Sequence, residues 1–166
     1  MKAPRIAATV VLAIGIALGT AGCDLTAPQA TTKHYDASDG VSGSVGDVDV
    51  RNAFVVSDDG TVGNLVFTLV NNGDSAHLVT IESGSGSNKT DKQVSIGAGK
   101  LTPFGGPDQR RVLIENLDTK PGTLYPVYFQ YGDKTGVRLL APVLDSSLPA
   151  YSDYSPNSAV ESIANQ

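Results

Sequence analysis

Few side chains among these 166 residues are of the kinds that do chemistry. Cys23 is the only cysteine, and it directly follows the small residues Thr20-Ala21-Gly22. A peptidase can clamp small side chains, and a thiol at a fixed distance behind them is a substrate for lipid transfer. Arg110 and Arg111, beside Asp108 in a Gly/Pro-rich loop, are a second candidate. Two guanidiniums can grip a carboxylate or a phosphate; the plainer reading is a solvated pair balancing nearby acids. Of the two histidines, His34 sits in a polar stretch and reads as a solvated side chain, because a metal site needs several convergent donors. His77 shares a strand phase with Val79 and Ile81, so the first reading is a partly buried ring with one hydrogen bond, and the second is a ligand-binding role.

Other constellations fall short of a reaction. No Gly-x-Ser-x-Gly turn is present, and no His stands beside a nucleophile with a third group to orient it. Asp47/Asp49 and Asp58/Asp59 read as strand edge and turn, without the ligand spacing of a calcium loop. The Ser-Gly-Ser-Gly-Ser-Asn run over 83–88 lacks the Gly-Lys-Ser/Thr ending of a phosphate cradle. Asn88-Lys89-Thr90 matches a glycosylation sequon, read here as chance. The expectation is a protein without enzymatic activity, cofactor or metal.

The N-terminus supplies an address. Lys2 and Arg5 form a positive start, and residues 6–18 are an uncharged apolar run, shorter than the ~20 residues a spanning helix needs. Thr20-Ala21-Gly22-Cys23 resembles a bacterial lipobox, with Thr20 standing where Leu is usual. Residues 1–22 are therefore read as a cleaved lipoprotein signal peptide, with Cys23 the lipid-bearing residue. The expected location is the extracytoplasmic side of the cell membrane. Cleavage removes Lys2 and Arg5 from twelve cations, so a net charge of −5 becomes −7. An acidic chain does not bind nucleic acid through its phosphates, nor anionic lipid through a basic patch. With Cys23 acylated no thiol remains for a disulfide, and packing alone must hold the fold.

Several elements have to position these groups. Residues 23–46 are rich in Thr, Ala, Ser, Asp and Gly without apolar periodicity, and are expected to be a flexible tether. From Asp47 the period is two: Val48, Val50, Phe54 and Val56 on one face, with Asn52 interrupting it as a bulge or a buried amide. Ser57-Asp58-Asp59-Gly60 is a turn. Residues 64–71 are the strongest strand, closed by Asn71-Asn72-Gly73-Asp74, and 77–81 returns. Val94 and Ile96 form a short strand, Gly97-Ala98-Gly99-Lys100 turns, and 103–107 reads as a rigid exposed connection. Residues 112–117 form a strand, followed by the Lys120-Pro121-Gly122 turn. Tyr125, Val127, Phe129 and Tyr131 present an inward row, with Pro126 suggesting an edge or a bulge. Gly132 to Gly136 closes a hairpin, and Val137, Leu139, Ala141 and Val143 make the last inward row. About seven short strands at this spacing predict an all-β fold, an antiparallel immunoglobulin- or cupredoxin-like β-sandwich over 47–144. Residues 145–166 read as a disordered, low-complexity tail, Ser158 to Ala164 forming at most a turn of helix. Tyr151 and Tyr154 have a docking motif as their alternative role.

The turn at Asn71-Asn72-Gly73-Asp74 followed by Leu78, the strand-turn of 94–101, Val112-Leu113-Ile114-Glu115-Asn116-Leu117, Lys120-Pro121-Gly122 and the last two strands resemble the periplasmic copper chaperone domain PCu(A)C. The resemblance extends to the small LpqE-type lipoproteins of actinobacteria, which pair this domain with a lipobox and a low-complexity tail. It implies a copper site of His and Met donors, soft enough for Cu(I). Its His-x-Met pair falls on Arg111 and Leu113, and its other His and Met fall near the Gly/Ser loop and the 89–93 segment, which holds neither. Met1 is the only methionine, and the motif is absent. Three functional readings follow: a non-enzymatic envelope module with a protein or glycan partner, a copper-chaperone-like protein rebuilt around His34 and His77, or an anion or carbohydrate binder using Arg110 and Arg111.

Overall fold

The computed structural model describes residues 36, 38–84 and 89–157. Residues 1–22, Cys23, His34, Tyr35, Asn88 and the 158–164 segment, with the expectations attached to them, lie outside the described residues. Among the described residues there are nine strands: β1 (Val41–Val45), β2 (Val48–Val56), β3 (Val62–Asn71), β4 (His77–Ser83), β5 (Thr90–Ile96), β6 (Leu101–Phe104), β7 (Leu113–Glu115), β8 (Leu124–Tyr131) and β9 (Val137–Leu144). They run in the order β5-β4-β8-β9-β2-β3-β6, with β1 also on β2 and β7 also on β3. The fold is the expected all-β sandwich, nearly closed because β9 bridges its two layers. Pairing is antiparallel except at that bridge, where β9 runs parallel to β2 at Val55↔Val143 and Val56↔Leu144.

The inward rows read from the sequence form the core. Tyr125, Val127, Phe129 and Tyr131 of β8 and Leu139, Ala141 and Val143 of β9 are buried, and Val137 packs against them. Phe67 of β3 is the central ring. It stacks on Phe104 at 4.8 Å and meets Phe129 edge-on at 5.4 Å, so one side chain ties β6 to the opposite layer. Phe104 is 3% exposed, which corrects the expectation of an exposed 103–107 connection. Leu101–Phe104 pairs with β3, and Pro103 is tolerated there because β6 is the edge strand.

Asn52 resolves as a bulge. Its φ is 52°, and the β2–β3 register shifts between Arg51 and Phe54. An extra residue moves every following side chain to the other face. Ala53 and Val55 thus join Val48 and Val50 in the main core, while Phe54 and Val56 turn outward into a second cluster with Val66. Phe54 and Val56 were expected inside, and the bulge is why they are not.

Two other boundaries move. β1 lies within the expected tether and pairs with β2, so the ordered body begins before Asp47. Its small residues hide the signal, and Gly43 packs closely: a Cβ there would sit 2.8 Å from Leu139 Cδ2, so the leucine would have to shift. Pro126 is not at an edge, since β8 lies between β4 and β9. Its carbonyl accepts from Gly84 N at 3.4 Å. The N–H and C=O of one strand residue point the same way, so the absent donor faces Gly84 at the end of β4, and only the last bond of that ladder is given up.

Phe67→Ala is expected to destabilise the fold by about 3–5 kcal/mol in chemical denaturation. Leu101→Ala, at a side chain 65% exposed, should change stability by less than about 1 kcal/mol.

Candidate functional site

The two candidate arginines do not form a joint grip. Arg110 donates from Nη2 to the Gln93 carbonyl of β5 at 3.1 Å. Arg111 turns to the C-terminal segment, donating from Nη1 to Ser155 O at 2.7 Å and from Nη2 to Asp153 O at 3.0 Å. Neighbours in sequence, they serve different elements, and Arg111 acts as a latch on its own chain.

Of the tail expected over 145–166, residues 145–157 are described and pack against the body. A 3₁₀ turn, Ser152–Tyr154, brings Tyr151 and Tyr154 edge-on to Phe54 at 5.9 and 6.0 Å. Asn64 donates from Nδ2 to Tyr154 O at 2.9 Å and to Gly105 O at 2.8 Å, while its buried Oδ1 has no partner among the described residues. Tyr151 donates its hydroxyl to Asp39 at 2.5 Å, which pushes the phenol pKa up. Asp58 accepts from the Ser146 hydroxyl at 2.5 Å and from the Ser155 hydroxyl at 2.7 Å, clasping both ends of the segment. The Ser146 bond is the main reason its carboxyl is held below the usual range, with Ser155 assisting. The tyrosines thus have an intramolecular role as the cover of the second apolar cluster.

His77 also has a structural partner. Its ring stacks on Tyr131 at 4.1 Å, in place of the expected hydrogen bond. The Tyr131 hydroxyl accepts from Asp47 N at 3.0 Å.

A different constellation lies on the outer face of β4, β8 and β9. Register places Glu82 opposite Tyr128, and Tyr128 opposite Arg138. Together with Gly84, Lys89 and Pro126 they line an open cleft of about 460 Å³. Lys89 pairs with Glu82. Arg138 is exposed, and among the described residues it makes no hydrogen bond or ion pair. Sequence reading passed over these residues because each is an ordinary outward position. Only the register across the Gly132 to Gly136 hairpin sets the tyrosine beside the arginine.

A copper-bound PCuAC domain from PmoF2 matches this structure with a TM-score of 0.50 at 13% identity, covering 63% of this chain and 98% of that one. The chain has a PCuAC-like fold. An apo PCuAC domain from PmoF1 matches at a TM-score of 0.49 and 14% identity, covering 62% of this chain and 98% of that one. No family model and no curated protein matches the sequence. The position that the resemblance assigns to histidine is Arg111, a cation bonded to backbone carbonyls, and the methionine position is Leu113. Among the described residues no three His, Cys, Asp or Glu side chains are grouped to hold a metal ion.

Arg111→Ala should cost about 1–2 kcal/mol, the worth of charge-assisted bonds discounted for partial exposure, and should raise binding of an apolar dye to the Phe54 patch. Arg110→Ala should stay within about 0.5 kcal/mol. The depressed Asp58 pKa stabilises the folded chain fully above the ordinary Asp value of about 3.9, and the contribution is lost as pH falls through the lower folded value. Proteolysis of the C-terminal segment should therefore accelerate on acidification below about pH 4, and Asp58→Asn should blunt that dependence.

Proposed function

We propose that this chain is an exported, lipid-anchored, non-enzymatic binding module of the cell envelope. Cys23 carries the lipid, the membrane is its first partner through that anchor, and the PCuAC-like domain faces the extracytoplasmic side to engage an envelope protein or glycan. The observation that carries the binding-module reading over copper delivery is Arg111. Where the resemblance places a metal-binding histidine, a guanidinium holds the Asp153 and Ser155 carbonyls instead. A fixed cation repels a metal ion, and Leu113 offers no thioether. The signal-like segment and the thiol behind Thr20-Ala21-Gly22 support the anchor.

Palmitate labelling in cells is expected for the native chain and should disappear in Cys23→Ala; labelling that persists would refute the anchor. Titration of the full chain with Cu(I) against a competing chelator is expected to reveal no tight site. A nanomolar site abolished by joint replacement of His34 and His77 with Ala would instead establish the rebuilt copper site.

A further inference from the structure

The cleft on the outer face of β4, β8 and β9 sets an aromatic ring between acidic and basic side chains. Tyr128 supplies a platform. Its phenol end lies across Gly136, where a Cβ would come within 2.4 Å of Cζ, so the glycine lets the ring settle on the strand. Pro126 adds apolar surface two residues earlier on the same face of β8. Flat aromatic and prolyl surfaces accept the C–H face of a pyranose, which is apolar while its rim is polar.

The charges around that platform are ordered across the sheet. The register runs Asp91 to Glu82 to Tyr128 to Arg138 across β5, β4, β8 and β9. Lys89 is engaged with Glu82, so at the β4 side the cleft offers carboxylate oxygens that accept from hydroxyls, beside a cation already matched. Arg138, at the other side, has its planar fork uncommitted among the described residues. A guanidinium fork matches a carboxylate with two parallel hydrogen bonds. Acceptors at one end and a free fork at the other, with a ring platform between them, select a sugar that presents hydroxyls toward Glu82 and a carboxylate toward Arg138.

We infer that this cleft binds an acidic saccharide, with Tyr128 as the stacking platform and Arg138 as the carboxylate ligand. The inference deepens the binding-module reading and is independent of the anchor, because it is tested on binding alone. The full chain in detergent is titrated with methyl glucuronoside, with methyl glucoside, which lacks only the carboxylate, and with acetate, which lacks the ring. Ligand-observed NMR is the readout. Saturable binding of the glucuronoside is expected, at least about tenfold stronger than that of either control, since two charge-assisted bonds and ring contact are each needed. Arg138→Gln should erase the preference over the glucoside. Tyr128→Ala should weaken both sugars, and Arg51→Gln, on a pair outside the cleft, should leave binding intact. No saturable binding of the glucuronoside, equal binding of acetate, or a preference that survives Arg138→Gln would overturn the inference, while palmitate labelling of Cys23 would still decide the anchor separately.

Discussion

The left-handed backbone at Asn52 governs more of this molecule than any core side chain. The residue is held there from both sides: its Oδ1 accepts from Gly40 N at 2.9 Å, and its own N–H donates to the Ser42 hydroxyl at 3.3 Å. Asn is among the few residues that tolerate this conformation at small cost. Before the bulge β2 faces the interior with Val48 and Val50, and after it with Ala53 and Val55. Two large side chains, Phe54 and Val56, are thereby left on the outside. A sheet that is apolar on both faces needs a second cover. The C-terminal segment supplies it, and so Arg111, Asn64 and Asp58 are committed to holding a strap instead of a ligand.

The acidic composition fits the same logic. Among the described residues several of these carboxylates serve local turns and straps through hydroxyl and backbone donors, and Asp49 and Glu82 pair with a cation. Asp58 clasps Ser146 and Ser155, Asp59 accepts from Thr61 N at 2.9 Å, and Asp49 accepts from the Ser44 hydroxyl at 2.7 Å. The Ser44 bond leads in holding Asp49 below the usual range, and the Thr61 backbone bond does so for Asp59. Carboxylates satisfied separately, each by its own turn, are poor candidates for a shared cation. The negative charge is therefore spread over the fold's connections.

How much of this was legible in sequence depended on whether period two persisted. It persisted in β3, β8 and β9, and their inward rows were readable residue by residue. Asn71 was legible as a turn signal, and its burial explains the motif: Nδ2 donates to Ser75 O and Gly97 O while Oδ1 accepts from Gly73 N, locking two connections together. Period failed at Asn52, where either a bulge or a buried amide satisfied the pattern and only the bulge inverts the face of Phe54. It also failed in β1 and in the C-terminal segment, where small and polar residues bury little area each and gain their order from partners far along the chain. Arg111 to Ser155 and Asn64 to Tyr154 are contacts of that kind, which no local window contains.

The two outer faces of the sandwich are therefore unlike each other for a reason that begins in the strands. Around Phe54 the outward side chains are large and apolar, so exposure is costly and the chain folds over itself. On β4, β8 and β9 the outward positions mix Glu82, Tyr128 and Arg138, which are in register, with the exposed Leu78, Leu124 and Leu140, and among the described residues no segment folds over them. A face left without such a cover stays available to another molecule. Arg111 is the anchorage of the strap on one layer, and on the other layer, among the described residues, the Arg138 guanidinium beside Tyr128 has no side-chain partner.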